Sequence, residues 1–207
     1  MEIGEEVLGG YRSLPAVWTF WWPRFLRIAA WFVETEGRRR NIVRKVHAEV
    51  SGAITIPTST GSFRLVARAD RIDELIDGGI AVVDFKTGAP PSKKEVMAGF
   101  APQLPLEAAM VSRGGFSGIP SGDISELAFW RLSGGREPGA ISAAADDAAT
   151  VAAEAYAGLV ALVAKFDNET TPYEARPRPD KAPKYSDYEH LARVKEWSTA
   201  TDGETES

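Results

Sequence analysis

The sequence predicts an α/β fold in which helices flank a mixed sheet, and two observations lead to this class. Three extended runs, 43–56, 63–75 and 80–86, follow one another with turn-forming residues between them, which is typical of an antiparallel three-strand meander. A fourth extended run at 124–132 follows two short helical segments. We therefore expect it to join the sheet through a helical crossover.

An aromatic helical region precedes the meander. Apolar residues recur at helical spacing from Phe25 to Phe32, and Pro23 suits a first helical turn, so we predict a helix over 24–35. Gly37 is the predicted end of this helix. The dense aromatic side chains at this spacing favour packing in a core over stacking on bases.

A hairpin is predicted between the second and third extended runs, because the turn at 77–79 reads Asp-Gly-Gly. The third run begins with apolar and β-branched residues, which indicates a buried central strand. The hairpin brings Asp70 and Asp84 to a common end of the sheet. Because strand residues alternate between faces, Asp84 and Lys86 are predicted on one side and Phe85 on the other.

Two carboxylates and an ammonium at one strand end suit a phosphodiester-cleaving site. Mg²⁺ takes one or two carboxylates together with water and substrate phosphate, and a nearby lysine can orient a water or neutralise developing charge. The alternative is that Asp70, Asp73 and Lys86 are surface charges around an ordinary hairpin, since the Asp-x-Lys pattern is common. The residues alone leave both interpretations open.

A further carboxylate lies on the first strand of the meander. The alternation predicts Glu49 and His47 on one face and Ala48 and Val50 on the other. Glu49 is therefore either an auxiliary carboxylate of the metal site or a satisfied polar residue of the sheet.

Two helices follow the meander. Ser92 is the predicted N-cap of a capping box that starts a helix over 93–99, and a second helix is predicted over 103–111. Gln103 and Glu107, four residues apart, share one face of the second helix. Either side chain could point toward the acidic strand end or be a polar residue near a helix N-terminus.

The C-terminal part begins with a glycine-rich connection at 133–144 and continues with an alanine-rich stretch at 148–166. Leu159, Leu162 and Phe166 recur there at helical spacing. We predict a helix whose role is packing.

Composition limits the function classes. The 207 residues can bury one sizeable core, so we expect a single domain over 1–207, with 1–17 and 199–207 poorly ordered or peripheral. The absence of cysteine excludes disulfides, thiol catalysis and cysteine-ligated metals. No apolar run approaches membrane-spanning length, which predicts no membrane partner.

The charge balance bears on nucleic-acid binding. The formal net charge is −5, whereas dedicated DNA-binding domains are usually basic. This favours a subunit whose partner supplies the cationic channel. The basic cluster Arg38-Arg39-Arg40 is interpreted as a solvated helix end, with a DNA contact as the alternative.

The residues around the acidic strand end carry a family resemblance. Asp70, the run Ile80-Ala-Val-Val-Asp84-Phe-Lys86-Thr-Gly88 and the downstream Gln103 resemble the PD-(D/E)XK nucleases of the RecB type. Within that group the chain is similar to the C-terminal nuclease domain of AddB, a subunit of the AddAB helicase–nuclease, in its alphaproteobacterial form. The runs that carry this closer similarity are Ala67-Arg-Ala-Asp-Arg-Ile-Asp73, Gln103-Leu-Pro-Leu-Glu-Ala108 and Phe129-Trp-Arg-Leu-Ser-Gly134.

The resemblance implies a restriction-endonuclease-like fold with a metal-dependent catalytic site. In such a site Asp70, Asp84 and the backbone carbonyl of Phe85 would bind Mg²⁺ or Mn²⁺. Lys86 would serve the hydrolytic water and Gln103 would assist. The implied catalytic residues are Asp70, Asp84, Lys86 and Gln103.

The implied activity is exonuclease-type hydrolysis of single-stranded DNA by one part of a helicase–nuclease in double-strand break repair and recombination. The implied partners are DNA and an AddA-like helicase–nuclease subunit, and the implied location is the bacterial cytoplasm. The alternative is a non-catalytic DNA-binding or subunit-docking module that keeps the fold with an incomplete metal site.

The chain departs from the family pattern at several points. The lack of cysteine excludes the iron–sulfur cluster that some relatives carry. RecB-type nucleases also take a metal ligand from a Gly-x-x-x-His helix before the meander, which this sequence lacks. We therefore expect a C-terminal fragment of a larger protein with a weakened metal site. Glu107 stands where many relatives have tyrosine, and Ala67 stands where glycine is frequent.

Overall fold

The structure, a computed structural model, describes residues 2–9 and 14–174. The chain divides into two compact units, 1–167 and 168–207. All strands and helices of the described residues belong to the first unit.

The described part of the second unit contains a short turn, in which the Asn168 side chain accepts a hydrogen bond from the Thr170 amide at 3.0 Å. Residues 199–207, predicted to be poorly ordered or peripheral, lie outside the described residues. The single domain over 1–207 stays a prediction.

Five strands of the described residues form one mixed sheet. They are β1 (Val43–Pro57), β2 (Ser62–Leu75), β3 (Ile80–Lys86), β4 (Ile124–Leu132) and β5 (Gly139–Ala143), and they lie side by side in that order. The β3–β4 pair is parallel and the other three pairs are antiparallel. The predicted meander and the predicted crossover are both confirmed.

Helices flank this sheet. They are α1 (Glu2–Gly9), α2 (Trp22–Arg39), α3 (Lys93–Met97), α4 (Gln103–Ser112) and α5 (Ala148–Phe166), and a π-helical turn (Val17–Trp21) leads directly into α2. Pro23 lies in the first turn of α2, and the capping box at Ser92 starts α3, both as predicted. The predicted end at Gly37 is wrong because α2 continues to Arg39. A glycine inside a helix costs only about 1 kcal/mol, which packing readily offsets.

The sheet separates two cores. On one face, α4 and α5 pack against buried residues that include Ile72 and Val82. On the other face, Trp31 and Phe32 of α2 cover Trp130, and the rings of Trp31 and Trp130 meet edge-on with centroids 5.8 Å apart. These two aromatic residues of α2 therefore pack in a core, as their spacing predicts.

β5 corrects the prediction that 133–144 is only a connection. Its residues pair with β4 from Ala128–Ala143 to Leu132–Gly139. Small residues carry little intrinsic strand preference, so no local pattern predicts the strand. Main-chain pairing with the edge of β4 produces it instead.

α5 contradicts the expectation that no apolar run approaches membrane-spanning length. With 19 residues it is long and apolar enough, by length and composition, to cross a membrane, although one such helix is weak evidence. The first turns of α5 pack in the core, with Ala148, Val151 and Ala152 buried. The face predicted to pack is not buried, because Leu162 is 53% exposed and Leu159 and Phe166 are only half-buried. The absence of a membrane partner stays a prediction.

Candidate active site

Two charged side chains project from the carboxyl end of β3. Lys86 Nζ lies 2.7 Å from Asp84 Oδ2, as the predicted alternation requires. The side chain of Asp84 is 3% exposed and that of Lys86 is 31% exposed, so the pair opens to solvent on the lysine side. Phe85 turns to the other face of the sheet, where its ring meets that of Trp130 edge-on at 5.9 Å between centroids.

Asp70 of β2 reaches the same strand end. Its Oδ2 accepts a hydrogen bond from the backbone amide of Phe85 at 2.8 Å. The last registered pair between β2 and β3 joins Arg71 to Val83, so Asp70 lies where the two strands part. The hairpin thus brings Asp70 and Asp84 together.

The first turns of α4 supply two more groups. Gln103 Nε2 donates to Asp84 Oδ1 at 3.1 Å and also to Glu107 Oε1 at 3.1 Å. One side-chain amide therefore holds two carboxylates. Glu107 is only 3% exposed, whereas Gln103 lies at the exposed start of the helix. The sequence left the orientation of both residues open, and their spacing of four was the signal that they act together.

Burial and mutual repulsion perturb these acids. Burial raises the pKa of Asp84, and the charge of Lys86 offsets only part of that effect. Burial also raises the pKa of Glu107 to about 7; the Gln103 hydrogen bond opposes this, and the charges of Asp84 and Asp70 add to it. The acids therefore influence one another as one electrostatic group.

The oxygen atoms of this cluster are of the type that a hard divalent cation prefers. Glu107 Oε2 is buried without a hydrogen-bond partner, and Asp84 Oδ2 is buried in an ion pair with Lys86 Nζ. Within residues 2–9 and 14–174, no three acidic or histidine side chains converge closely enough to hold an ion by themselves. The donors therefore fit Mg²⁺, which takes one or two protein carboxylates plus water and phosphate, better than a metal in a closed protein cage.

Comparison with protein families identifies the fold. The model of the PD-(D/E)XK nuclease superfamily matches residues 4–186. The chain belongs to the PD-(D/E)XK nuclease superfamily. Its five-stranded mixed sheet flanked by helices is the restriction-endonuclease-like arrangement of this superfamily, which confirms the predicted fold class. PD-(D/E)XK nucleases typically use Mg²⁺ or Mn²⁺, in agreement with the oxygen donors described above.

Individual proteins similar to this PD-(D/E)XK chain give less detail. An uncharacterized protein of Rickettsia bellii is 29% identical over 97 residues, which are 47% of this chain and 12% of that protein. The uncharacterized protein RT0391 of Rickettsia typhi is 27% identical over 119 residues, which are 56% of this chain and 14% of that protein. The matched part of this chain thus spans only 12% to 14% of these relatives. The crystal structure of SSO0001 shares 16% identity with this chain over 76% of this chain and 69% of its own length, with a TM-score of 0.36.

Glu49, the predicted auxiliary carboxylate, occupies an irregular point of β1. It is the one non-glycine residue among the described residues with a positive φ, +55°, in the left-handed region that such residues rarely adopt. In the register of β1 and β2, Glu49 lies between the pairs Ala48–Arg71 and Val50–Ala69, and so opposite Asp70. Its carboxylate, however, pairs with Arg68 at 2.9 Å, and both side chains are largely exposed. The contacts of Glu49 therefore join it to the surface of the hairpin, and its auxiliary role stays a prediction.

The same irregularity overturns the predicted faces of β1. His47 is registered with Ile72, whose side chain lies in the core beneath α4 and α5, and Val50 packs against that same core. The prediction that His47 and Val50 occupy opposite faces is wrong, because an irregular residue between them interrupts the alternation.

Asp73 belongs neither to the candidate active site nor to the surface. It is fully buried and accepts hydrogen bonds from Arg39 Nε at 2.8 Å and Arg71 Nε at 2.7 Å. Arg39 also pairs with Glu126 at 3.0 Å, and both guanidinium groups lie over the ring of Trp130. The interpretations of Asp73 as a surface charge and of Arg39 as part of a solvated helix end are therefore wrong.

Proposed function

We propose that this chain is the metal-dependent nuclease domain of an AddB-like, RecB-type helicase–nuclease subunit. The activity proposed is exonuclease-type hydrolysis of single-stranded DNA in double-strand break repair and recombination, in the bacterial cytoplasm. One observation carries the nuclease proposal: Asp70, Asp84, Lys86 and Gln103 meet at one end of the sheet. The AddB-like assignment rests on the three sequence runs given above.

The proposed roles follow from the contacts of each residue. Asp70, Asp84 and the Phe85 carbonyl would hold Mg²⁺ or Mn²⁺. A bound cation would supply electrostatic stabilisation of the negative charge that develops on the phosphoryl oxygens. The Phe85 amide fixes the orientation of Asp70, and Gln103 fixes that of Asp84. Both carboxylates are therefore oriented before substrate arrives.

Lys86 is the one group of this set that combines positive charge with partial exposure. Its ammonium can donate hydrogen bonds to a water and to a phosphate oxygen together. Water oxygen would form the new bond to phosphorus, and the bond from phosphorus to the leaving sugar oxygen would break. Lys86 would orient that water and balance the charge of the reacting phosphate.

The partners of this activity are part of the proposal. The net charge of −5 disfavours strong DNA binding by this chain alone. We therefore propose that an AddA-like helicase–nuclease subunit delivers the single strand. The domain would then need little basic surface of its own.

Cleavage of an end-labelled single-stranded oligonucleotide tests the nuclease proposal. We expect cleavage that requires Mg²⁺ or Mn²⁺ and falls at least about 100-fold in Asp84→Asn and in Lys86→Met. Glu154→Gln, an exposed change on α5, is the matched control and should leave the rate unchanged. Release of mononucleotides from an end would identify an exonuclease. An unaltered rate in Asp84→Asn, or cleavage that persists in chelator, would contradict the proposal.

A non-catalytic DNA-binding or subunit-docking module is the second candidate. It is favoured by one observation: within the part of the chain that the structure describes, no three potential metal ligands form a closed set. Such a module would bind single-stranded DNA or the partner subunit without cleaving DNA at any cation concentration. Fluorescence anisotropy with the labelled oligonucleotide, beside the cleavage assay, separates the two candidates.

A further inference from the structure

Glu107 is a buried acid that the roles above do not use. It lies one helical turn after Gln103 on α4, and the residues that follow it, Ala108 to Val111, are all buried in the core. At 3% exposure, its carboxylate has almost no access to bulk water. Removing an ionisable group from water is costly unless partners replace the lost hydration. A partner that replaces the lost hydration would therefore stabilise the ionised form of Glu107.

Only half of that carboxylate has such a partner. Oε1 accepts the hydrogen bond from Gln103 Nε2, and Oε2 is buried without any hydrogen-bond partner. A buried polar atom left unsatisfied destabilises the folded state, and more so when it is charged. The free oxygen thus marks a position where a further positive or hydrogen-donating group would be stabilising.

The same amide nitrogen also binds a second buried acid. Gln103 Nε2 holds Asp84 and Glu107 at equal distances of 3.1 Å, so the two carboxylates flank a single atom. Asp84 also keeps one buried oxygen, Oδ2, without a hydrogen-bond partner. Two buried acids held by one amide therefore each keep an oxygen for which no hydrogen bond is found, and that of Asp84 has Lys86 Nζ at 2.7 Å.

The charges of this corner do not balance. The charges of Asp70 and Asp84 act on Glu107, and that of Asp70 acts on Asp84; among the described residues, Lys86 is the one cation whose charge acts on both Asp84 and Glu107. The ammonium lies beside Asp84, so it offsets the charge of only one of the three carboxylates when all three are ionised. A divalent cation is the ligand whose charge and preference for oxygen donors match this excess.

We propose that Glu107 is a ligand of the divalent cation in this site, with Glu107 Oε2 as a donor in addition to the Asp84 carboxylate. The proposal rests on the proposed function, because it deepens the metal site that the function requires. It adds to that site a ligand that comes from α4 rather than from the β2–β3 hairpin. The metal site is then closed by the helix as well as by the strands.

A purely structural role for Glu107 leads to different expectations. In that case the carboxyl would serve only as the acceptor for Gln103, and an amide at position 107 would replace it without effect on metal. If Glu107 is a ligand, loss of its charge weakens the cation site even though the hydrogen bond to Gln103 can still form. Metal affinity therefore separates the two roles directly.

Calorimetric titration of the metal-free protein with Mn²⁺, repeated on each variant, tests the proposal without any assay of cleavage. We expect Glu107→Gln to weaken Mn²⁺ binding at least about tenfold. The thermal shift that Mn²⁺ gives the wild type should shrink in parallel, because stabilisation follows affinity by mass action. Glu154→Gln, which makes the same chemical change at an exposed position, should keep wild-type affinity.

A second variant tests whether misfolding, rather than loss of a ligand, explains the weaker Mn²⁺ binding. Glu107→Leu has similar size and no polar atom, and a buried apolar replacement of this kind is often neutral or stabilising. It should keep the thermal midpoint of the metal-free wild type and should also lose at least about tenfold in Mn²⁺ affinity.

Equal Mn²⁺ affinity in wild type and Glu107→Gln, with binding lost in Asp84→Asn, would overturn the role of Glu107 and leave the proposed function standing. Glu107-dependent Mn²⁺ binding in a chain that cleaves no DNA would support the ligand role and count against the nuclease. Failure of the wild type to bind Mn²⁺ would overturn both.

Discussion

The backbone amide of Phe85 donates its hydrogen bond to the side chain of Asp70, at 2.8 Å, where the ladder between β2 and β3 ends. A carboxylate takes the place of a main-chain acceptor at this point. Asp70 therefore has two tasks: it satisfies a strand amide, and in the proposed function it also binds the cation.

These two tasks can be separated by substitution. Asp70→Asn keeps an oxygen for the Phe85 amide, whereas Asp70→Ala leaves the amide without a partner. We expect both variants to lose cleavage, and only Asp70→Ala to lose about 1–3 kcal/mol in the free energy of unfolding. Urea denaturation beside the oligonucleotide assay measures both quantities. Equal stability losses in the two variants would show that the hydrogen bond is not the source.

Lys86 and a divalent cation compete for the same carboxylate. Lys86 Nζ lies 2.7 Å from Asp84 Oδ2, so the ammonium repels a cation from that oxygen. We expect Lys86→Met to abolish cleavage while Mn²⁺ affinity stays equal or rises. Calorimetry and the cleavage assay on one preparation measure the split. A variant that lost metal affinity and activity together would indicate that the lysine supports the cation site instead.

The raised pKa of Glu107 predicts how stability depends on pH in the absence of metal. Its pKa is about 7 in the folded protein against an ordinary value of 4.5, so the folded state keeps a proton that the unfolded state has lost between these values. The free energy of unfolding should therefore fall as pH rises through this window, by about 3 kcal/mol at most.

Denaturant titrations in chelator from below the ordinary pKa to above the raised one follow this decline. Glu107→Gln should flatten the profile, because the amide does not titrate, and Glu154→Gln should reproduce the wild type. The raised pKa of Asp84 contributes a decline in the same direction in both proteins. An unchanged slope in Glu107→Gln would refute the assignment.

The buried ion network behind the sheet carries a stability prediction. Asp73 is fully buried between Arg39 and Arg71, so Asp73→Asn removes the anion that both guanidinium groups share and leaves each with one carboxylate, Glu126 or Glu36. We expect a loss of about 1–3 kcal/mol in the free energy of unfolding. Glu137→Gln breaks an exposed ion pair with Arg131 and should change stability by less than about 1 kcal/mol. Similar effects of the two changes in urea denaturation would contradict this account.

Two glycine substitutions test how the hairpin of β1 and β2 contacts the loop after α4. A Cβ at Gly52 would lie 2.5 Å from the Phe116 ring and 2.7 Å from the Gly115 carbonyl oxygen, so Gly52→Ala should be destabilising. Gly37→Ala is the matched control, because nothing lies within 4 Å of that position inside α2. The control should gain about 0.5–1 kcal/mol in thermal or urea unfolding. If Gly52→Ala leaves the free energy of unfolding unchanged, the hairpin can shift away from Phe116 without a cost in stability.

Much of this site could be predicted because its parts lie close together in the sequence. The hairpin turn fixes the register of β2 and β3, and alternation then places Asp84 and Lys86 on one face. The helical spacing of four residues likewise associates Gln103 with Glu107. Local periodicity therefore contains most of the information on the candidate active site.

What could not be predicted depends on contacts across the fold. Asp73 and Arg39 are 34 residues apart, and their pairing follows from the packing of α2 on the sheet. The burial of Glu107 likewise follows from the packing of α4 rather than from its neighbours. β5 forms only because β4 offers an open edge. Each is a tertiary effect that overrides local preference.

The connection between β3 and β4 has a consequence for the kinetics of assembly. Asp70, Asp84 and Lys86 belong to a local hairpin, which forms in about 1–10 μs in isolation, whereas α4 reaches them only when the long crossover has closed a parallel strand pair. Contacts of large sequence separation form slowly. After dilution from denaturant, we expect far-ultraviolet circular dichroism to recover before affinity for Mn²⁺ does.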